Sequence, residues 1–167
     1  MQSPDRQDTR ALVSLWLRRL GDVAGLSLQL SSEGVCGVGH ESGMDCAIEV
    51  PEDGGAVYLR APMLPWPPVH LARIAEHLLT EQFLGLGTDG ATFAIDPRDR
   101  ELVLWKCAPV ALLDETSFQQ LLMEFIQMAV HWRDELQRID FAPDPSSDIR
   151  SAGEDAFEGA DSKLRLA

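Results

Sequence analysis

Trp66 to Leu86 reads WPPVHLARIAEHLLTEQFLGL, and the arrangement of the chain turns on how this stretch folds. Pro67 and Pro68 suit a helix start, where a missing N–H costs nothing. Leu71, Ile74, Ala75, Leu78, Leu79 and Phe83 then recur at three- and four-residue spacing, which predicts an amphipathic helix with a broad apolar stripe. Gly85 and Gly87 are placed to end it. Polar positions are few (Arg73, Glu76, Glu81, Gln82), so the stripe is wide enough to meet more than one surface. One flank belongs on a sheet; the other suits either the same core or a second subunit, and periodicity leaves both open.

On the N-terminal side the period changes to two. Leu26, Leu28 and Leu30 alternate with polar residues, Ser31 to Gly34 form a turn, and Val35 to Gly39 continues extended. Met44, Cys46, Ile48 and Val50 share one face of the next strand, PEDGG at Pro51 to Gly55 is a loop, and Val57 and Leu59 share a face beyond it. On the C-terminal side Ala91, Phe93 and Ile95 alternate up to the turn DPRDR, and LVLWKC (Leu102 to Cys107) returns with apolar residues on both faces. Such a strand must be covered twice, by two layers of this chain or by another subunit.

Helices close both ends of the domain. Ser3, Pro4 and Asp5 suit a first-turn start. Leu12, Leu15, Trp16 and Leu20, widened by Val13 and Leu17, mark its stripe, and Gly21 is a plausible terminator. Asp114 or Thr116 can cap a longer helix whose apolar face carries Phe118, Leu121, Leu122, Phe125, Ala129, Trp132 and Leu136. Beyond Asp140 the sequence turns rich in Pro, Ser, Asp and Gly. The expected division is a domain over 1–139 and an acidic, disordered tail over 140–167. The element order is helix, meander, helix, hairpin, helix, an α+β domain with a mainly antiparallel sheet.

The chain has 167 residues, 45% of them hydrophobic, with 14 basic against 27 acidic residues and a net charge of −13. That suffices for one core. A surface this acidic repels phosphate backbones and anionic lipid, so neither nucleic acid nor a membrane surface is an expected partner. The N-terminus MQSPDRQDTR has no apolar core of a signal peptide, and no run is long enough to span a bilayer, which predicts a cytoplasmic protein without membrane insertion. Cys36, Cys46 and Cys107 form no CxxC pair and suit small core residues in a reducing compartment.

Catalytic patterns are weak. His77 and Glu81 share a helical i, i+4 spacing, but HExxH is absent, and Cys36 with His40 supplies only two potential ligands. HESG around Ser42 lacks the nucleophile-elbow pattern, and GLGTDGAT (Gly85 to Thr92) leads into a strand without the GK[ST] ending of a phosphate loop. No enzyme, metal or cofactor is expected. What remains is more apolar stripe than one small sheet buries, the pattern of a protein that binds other chains.

Local strings and their order resemble the class I type III secretion chaperones of the Tir-chaperone (CesT-like) family. The resemblance runs from about Leu12 to Trp132 and rests on LGDVAGLSLQL (Leu20 to Leu30), EGVCGV, AIEVPEDGGAVYLRAPM (Ala47 to Met63), HLLTEQFLG (His77 to Gly85) and GATFAIDPRDRELVLW (Gly90 to Trp105). Gln82 stands where the family often has Asn. The resemblance implies an α-β-β-β-α-β-β-α fold and a non-enzymatic, ATP-independent homodimer, with Ile74, Leu78 and Trp105 near the two-fold. It also implies that secreted effectors lay an N-terminal segment into grooves between the first helix and the sheet, with strand addition at the sheet edge. The groove candidates are Leu12, Leu15, Trp16, Leu28, Leu30, Ile48 and Val50. The chaperone would keep that segment non-globular and soluble and present it to the export ATPase. Aspartate at Leu12 or Trp16 is then expected to abolish effector binding in a folded dimer. The alternative is a non-enzymatic regulatory or adaptor domain binding a folded partner or a small ligand.

Overall fold

The computed structural model describes residues 6–52 and 54–142. Its elements are α1 (Arg6–Ala24), β1 (Val35–Gly39), β2 (Asp45–Glu49), β3 (Ala56–Pro65), α2 (Leu71–Glu81), β4 (Thr92–Asp96), β5 (Glu101–Pro109) and α3 (Glu115–Asp140), with short 3-10 turns at Phe83–Gly85 and Val110–Leu112. All pairings are antiparallel, in the order β1-β2-β3-β5-β4. Because β3 and β4 both run against β5, they point the same way. Strands in that relation cannot be joined by a tight turn, so α2 supplies the crossover and β5 returns to fill the gap.

Register decides which side chains meet the helices, since directly opposed residues share a face. Cys36, Ile48 and Leu59 stand opposite one another in series, as do Ala61, Leu104 and Phe93. This face joins Val13, Trp16 and Leu17 of α1, Ile74 and Leu78 of α2, and Phe118, Leu122, Phe125 and Leu136 of α3 in one core. Each such aliphatic or phenyl side chain contributes about 1.5–3 kcal/mol on burial. The longest helix begins with a reciprocal cap: the Asp114 carboxylate accepts from Ser117 N–H at 2.8 Å, and Ser117 Oγ accepts from Asp114 N–H at 2.8 Å. Ser117 Oγ also donates to Asp114 Oδ1 at 2.6 Å, and this bond together with the one from Ser117 N–H holds the Asp114 carboxyl below its ordinary pKa.

The α+β class and the element order stand as the sequence predicts, with instructive differences. Leu26–Leu30 is extended but joins no ladder. Leu28 is buried and Leu30 packs against the core, so the alternation reports one-sided burial without strand pairing. α1 passes Gly21 and ends at Ala24, with Gly25 at φ 69°. Gly21 serves packing instead: a Cβ there would sit 2.5 Å from the carbonyl oxygen of Leu26. Pro67 and Pro68 precede the helix rather than open it, and α2 starts at Leu71 after His70, whose N–H is satisfied by Asp140 Oδ1 at 3.0 Å. β3 runs on through Pro62 to Pro65, with an irregularity in register between Pro62 and Leu64. Cys36 and Cys46 are core residues, but Cys107 is exposed. The proposed Ser3–Pro4 start and nearly all of the acidic tail lie outside the described residues.

Candidate binding surfaces

The first surface is built by α1 and the segment that returns beside it. Leu12 is 39% exposed and Leu15 half-buried on α1, while Trp16 is 5% exposed and packs on Phe118. Leu26 is exposed on the returning segment, and a cleft of about 490 Å³ opens between the two, lined by Arg18, Gly21, Asp22, Leu26, Leu28 and Gln29. Of the seven groove residues expected from sequence, Leu12, Leu15 and Leu30 reach the surface. Trp16, Leu28, Ile48 and Val50 are buried in the chain's own core and support that surface from beneath. The segment's side chains anchor it while most of its backbone faces no strand, which is the condition for accepting an extended peptide.

The second surface follows α2. Ile74 and Leu78 turn inward and are buried; Leu71 and Leu79, each four positions from Ala75 in one row, turn outward. Leu79 is 73% exposed, and Phe83, Leu84 and Leu86 extend the apolar surface into the following loop, Leu86 at 82%. That loop is not loose. Phe93 N–H donates to Gln82 Oε1 at 2.6 Å, Trp132 Nε1–H donates to Gly87 O at 3.2 Å, and Lys106 Nζ donates to Asp89 O at 2.6 Å. A backbone pinned at these points holds large apolar side chains in water, and sequence periodicity missed Leu84 and Leu86. Their signal was their position beside Gly85, where a loop residue is normally polar.

The third is the sheet face away from the helices. Tyr58 and Trp105 stack there with centroids 6.2 Å apart, and Val103 is buried on the same side. Arg60 lies beside them, 3.3 Å from Glu49 and 3.4 Å from Asp96. Trp105 is only half-buried and Cys107 is exposed. Among the described residues, the returning strand is thus covered by helices on one side alone.

No chemistry gathers at the histidines and cysteines. His77 Nε2 lies 3.8 Å from Glu135 Oε1 and its ring rests against Trp132; Glu81 is not its partner. His40 Nδ1 bonds Ser42 at 2.9 Å, not Cys36. Burial pushes the Cys46 thiol up to about 11, with the neighbouring Asp45 charge adding to the effect. Among the described residues no three His, Cys, Asp or Glu side chains come together as a metal site. None of their helices is long and apolar enough to cross a membrane.

The family model described as the Tir chaperone protein (CesT) family matches residues 16–133, from the middle of α1 to the last turns of α3. Among solved structures the fold is similar to that of the ExsC–ExsE complex, at TM-score 0.66 and 17% identity over 75% of this chain and 93% of that one. It is similar to the Yersinia pestis type III secretion chaperone SycH, solved with a fragment of YscM2, at TM-score 0.53 and 13% identity over 71% and 98%. It is also similar to YbjN of E. coli, described as a putative transcription regulator, at TM-score 0.52 and 14% identity over 76% and 93%. No curated protein matches in sequence.

Proposed function

This chain belongs to the Tir chaperone protein (CesT) family, and from that premise we propose that it is a type III secretion chaperone of the bacterial cytoplasm. It binds the N-terminal segment of one or more effector proteins, keeps that segment extended and soluble, and delivers it to the export ATPase without catalysing a reaction. The observation that carries this reading is the family match across 16–133, together with the apolar surface left open at Leu12 and Leu26 and along α2 and the loop after it. An effector segment would lie along Leu12, Leu15 and Leu26, with Leu30 at the far end, and add its backbone to the free extended segment or to the β1 edge.

The active form is a homodimer. Its interface uses Leu71, Leu79, Phe83, Leu84 and Leu86, backed by Ile74 and Leu78 from within, with Trp105 contributing from the sheet. An apolar surface of this kind on an acidic chain favours a permanent partner, because leaving it in water costs about 25 cal/mol per Å². A regulatory or adaptor role with a folded partner is the second reading, favoured by the similarity to YbjN.

The deciding experiment is affinity capture of the tagged chain from its own bacterium, with mass spectrometry and limited proteolysis of what co-purifies. Exported proteins protected over an N-terminal segment are the expected result. A single folded cytosolic partner would overturn the chaperone reading in favour of the adaptor.

A further inference from the structure

α1 and the chain that follows it form a closed loop, and one side chain closes it. From Arg10 to Ala24 the helix climbs about 21 Å at 1.5 Å per residue. The chain reverses at Gly25 and runs back through Leu26–Leu30 into the turn at Ser32 and Glu33, which Gly34 N–H closes on Ser31 O at 2.9 Å. This return brings the turn beside Arg10. There the guanidinium donates to Val50 O at 2.8 Å, Glu33 O at 3.0 Å and Ser32 O at 3.4 Å. The three carbonyls belong to the end of β2 and to the turn between the extended segment and β1.

The seat for this side chain is Gly34. It sits at φ 84°, and a Cβ there would come within 2.7 Å of the Arg10 guanidinium and 2.4 Å of Val50 O. Its own N–H and C=O are spent on the turn, bonded to Ser31 O and Val50 N–H at 2.9 and 2.8 Å. A planar fork with several donors can reach carbonyls on separate segments at once; a lysine ammonium is a point charge and cannot hold all three in this geometry.

We infer that Arg10 is the positioning residue that sets the spacing between α1 and the Leu26–Leu30 segment, the two walls of the effector groove. The inference rests on the chaperone reading for what the groove holds, but the clasp itself is a property of this chain. Arg133 is a matched control. It makes the same kind of contact elsewhere, donating to Ser42 O at 2.8 Å and Gly43 O at 2.9 Å and so tying α3 to the β1–β2 turn.

The test uses the full chain with Arg10→Lys and Arg133→Lys. Hydrogen exchange should rise by about tenfold or more at the α1 amides and at Ser31, Gly34 and Val50 in Arg10→Lys, with the β3–β5 ladder unchanged, as local opening requires. Arg133→Lys should leave those amides as in the wild type. Unchanged exchange in Arg10→Lys, or an equal rise across the ladder, would overturn the clasp. The second measurement titrates the purified N-terminal segment of an exported protein recovered in the capture experiment. Arg10→Lys should weaken it about tenfold, an amount worth about 1.4 kcal/mol, and Arg133→Lys less than twofold. Local loosening with unchanged affinity would show that the wall spacing is not what the effector reads. Recovery of no exported protein would remove the chaperone reading and the groove with it, while exchange still decides the clasp.

Discussion

Trp16 of α1 and Phe118 of α3 face each other with ring centroids 5.4 Å apart and planes inclined at 33°, so the residue expected to line a groove is instead the joint between two helices. Trp16→Asp would place a carboxylate in this joint and unfold α1 rather than report on binding. Trp16→Ala should cost about 3–5 kcal/mol of stability, read from denaturant unfolding. Leu12→Asp is the informative variant: it should keep the wild-type unfolding midpoint and lose effector binding. Normal binding by a folded Leu12→Asp chain would displace the groove from α1.

The outward row of α2 gives a second test. Leu79→Glu and Phe83→Glu replace exposed side chains, so each monomer should keep its helical circular dichroism while the dimer dissociates, by light scattering after gel filtration. Ile74→Glu, a substitution at a fully buried position, should unfold the chain instead. A dimer that survives both surface charges places the two-fold elsewhere.

Gly21→Ala has an unusual sign. Inside a helix, alanine ordinarily stabilises relative to glycine by about 1 kcal/mol. Here the added Cβ meets Leu26 O at 2.5 Å and Leu28 N at 3.2 Å, backbone atoms that must move. The variant should therefore melt at a lower temperature than the wild type, and a higher one would mean that the returning segment does not press on α1.

Thiol labelling separates the cysteines. Cys46, raised to about 11 by burial, and Cys36, raised by the same cause, should stay unreactive toward an aromatic disulfide reagent at pH 8 in the native protein. Cys107 is exposed and should react first, giving one fast thiol before denaturation and three after it.

The α3 cap makes stability depend on pH. Asp114 has a depressed pKa in the folded chain because Ser117 donates to its carboxylate. Its contribution is therefore present above the ordinary carboxylate pKa, near 4, and lost as pH falls through the lower folded value. Asp114→Ala should melt a few degrees below the wild type at pH 7, and the gap should narrow steadily as pH falls below the ordinary carboxylate pKa near 4. A gap that persists in acid would assign the effect to something other than the charged cap.

What could be read from the chain followed from how strongly each element signals. α3 and α2 were legible because apolar residues recur over whole turns, and of the two residues that could cap α3, Asp114 and Thr116, the structure uses Asp114. Alternation at Leu26, Leu28 and Leu30 placed Leu28 and Leu30 toward the core but not Leu26, which stays exposed, and a pattern of side chains carries no information on whether the backbone finds a ladder. The surfaces were harder. Ile48 and Val50 look like Leu12 in composition, and only the register, Ile48 opposite Leu59, places them inside. Leu84 and Leu86 fall outside any periodic run, and Arg10 acts through carbonyls, which sequence does not display.

The insertion of β5 between β3 and β4 also orders events during synthesis. β3, ten residues long, emerges from the ribosome well before its neighbour at Glu101–Pro109, and β4 has no partner at all until that stretch appears. Until then the nascent chain presents an open apolar strand edge, the template on which chains join one another. A message truncated before Pro109 would leave that edge permanently unpaired, so the shortest product able to stay soluble must extend past β5, even though α1 and α2 are complete by then.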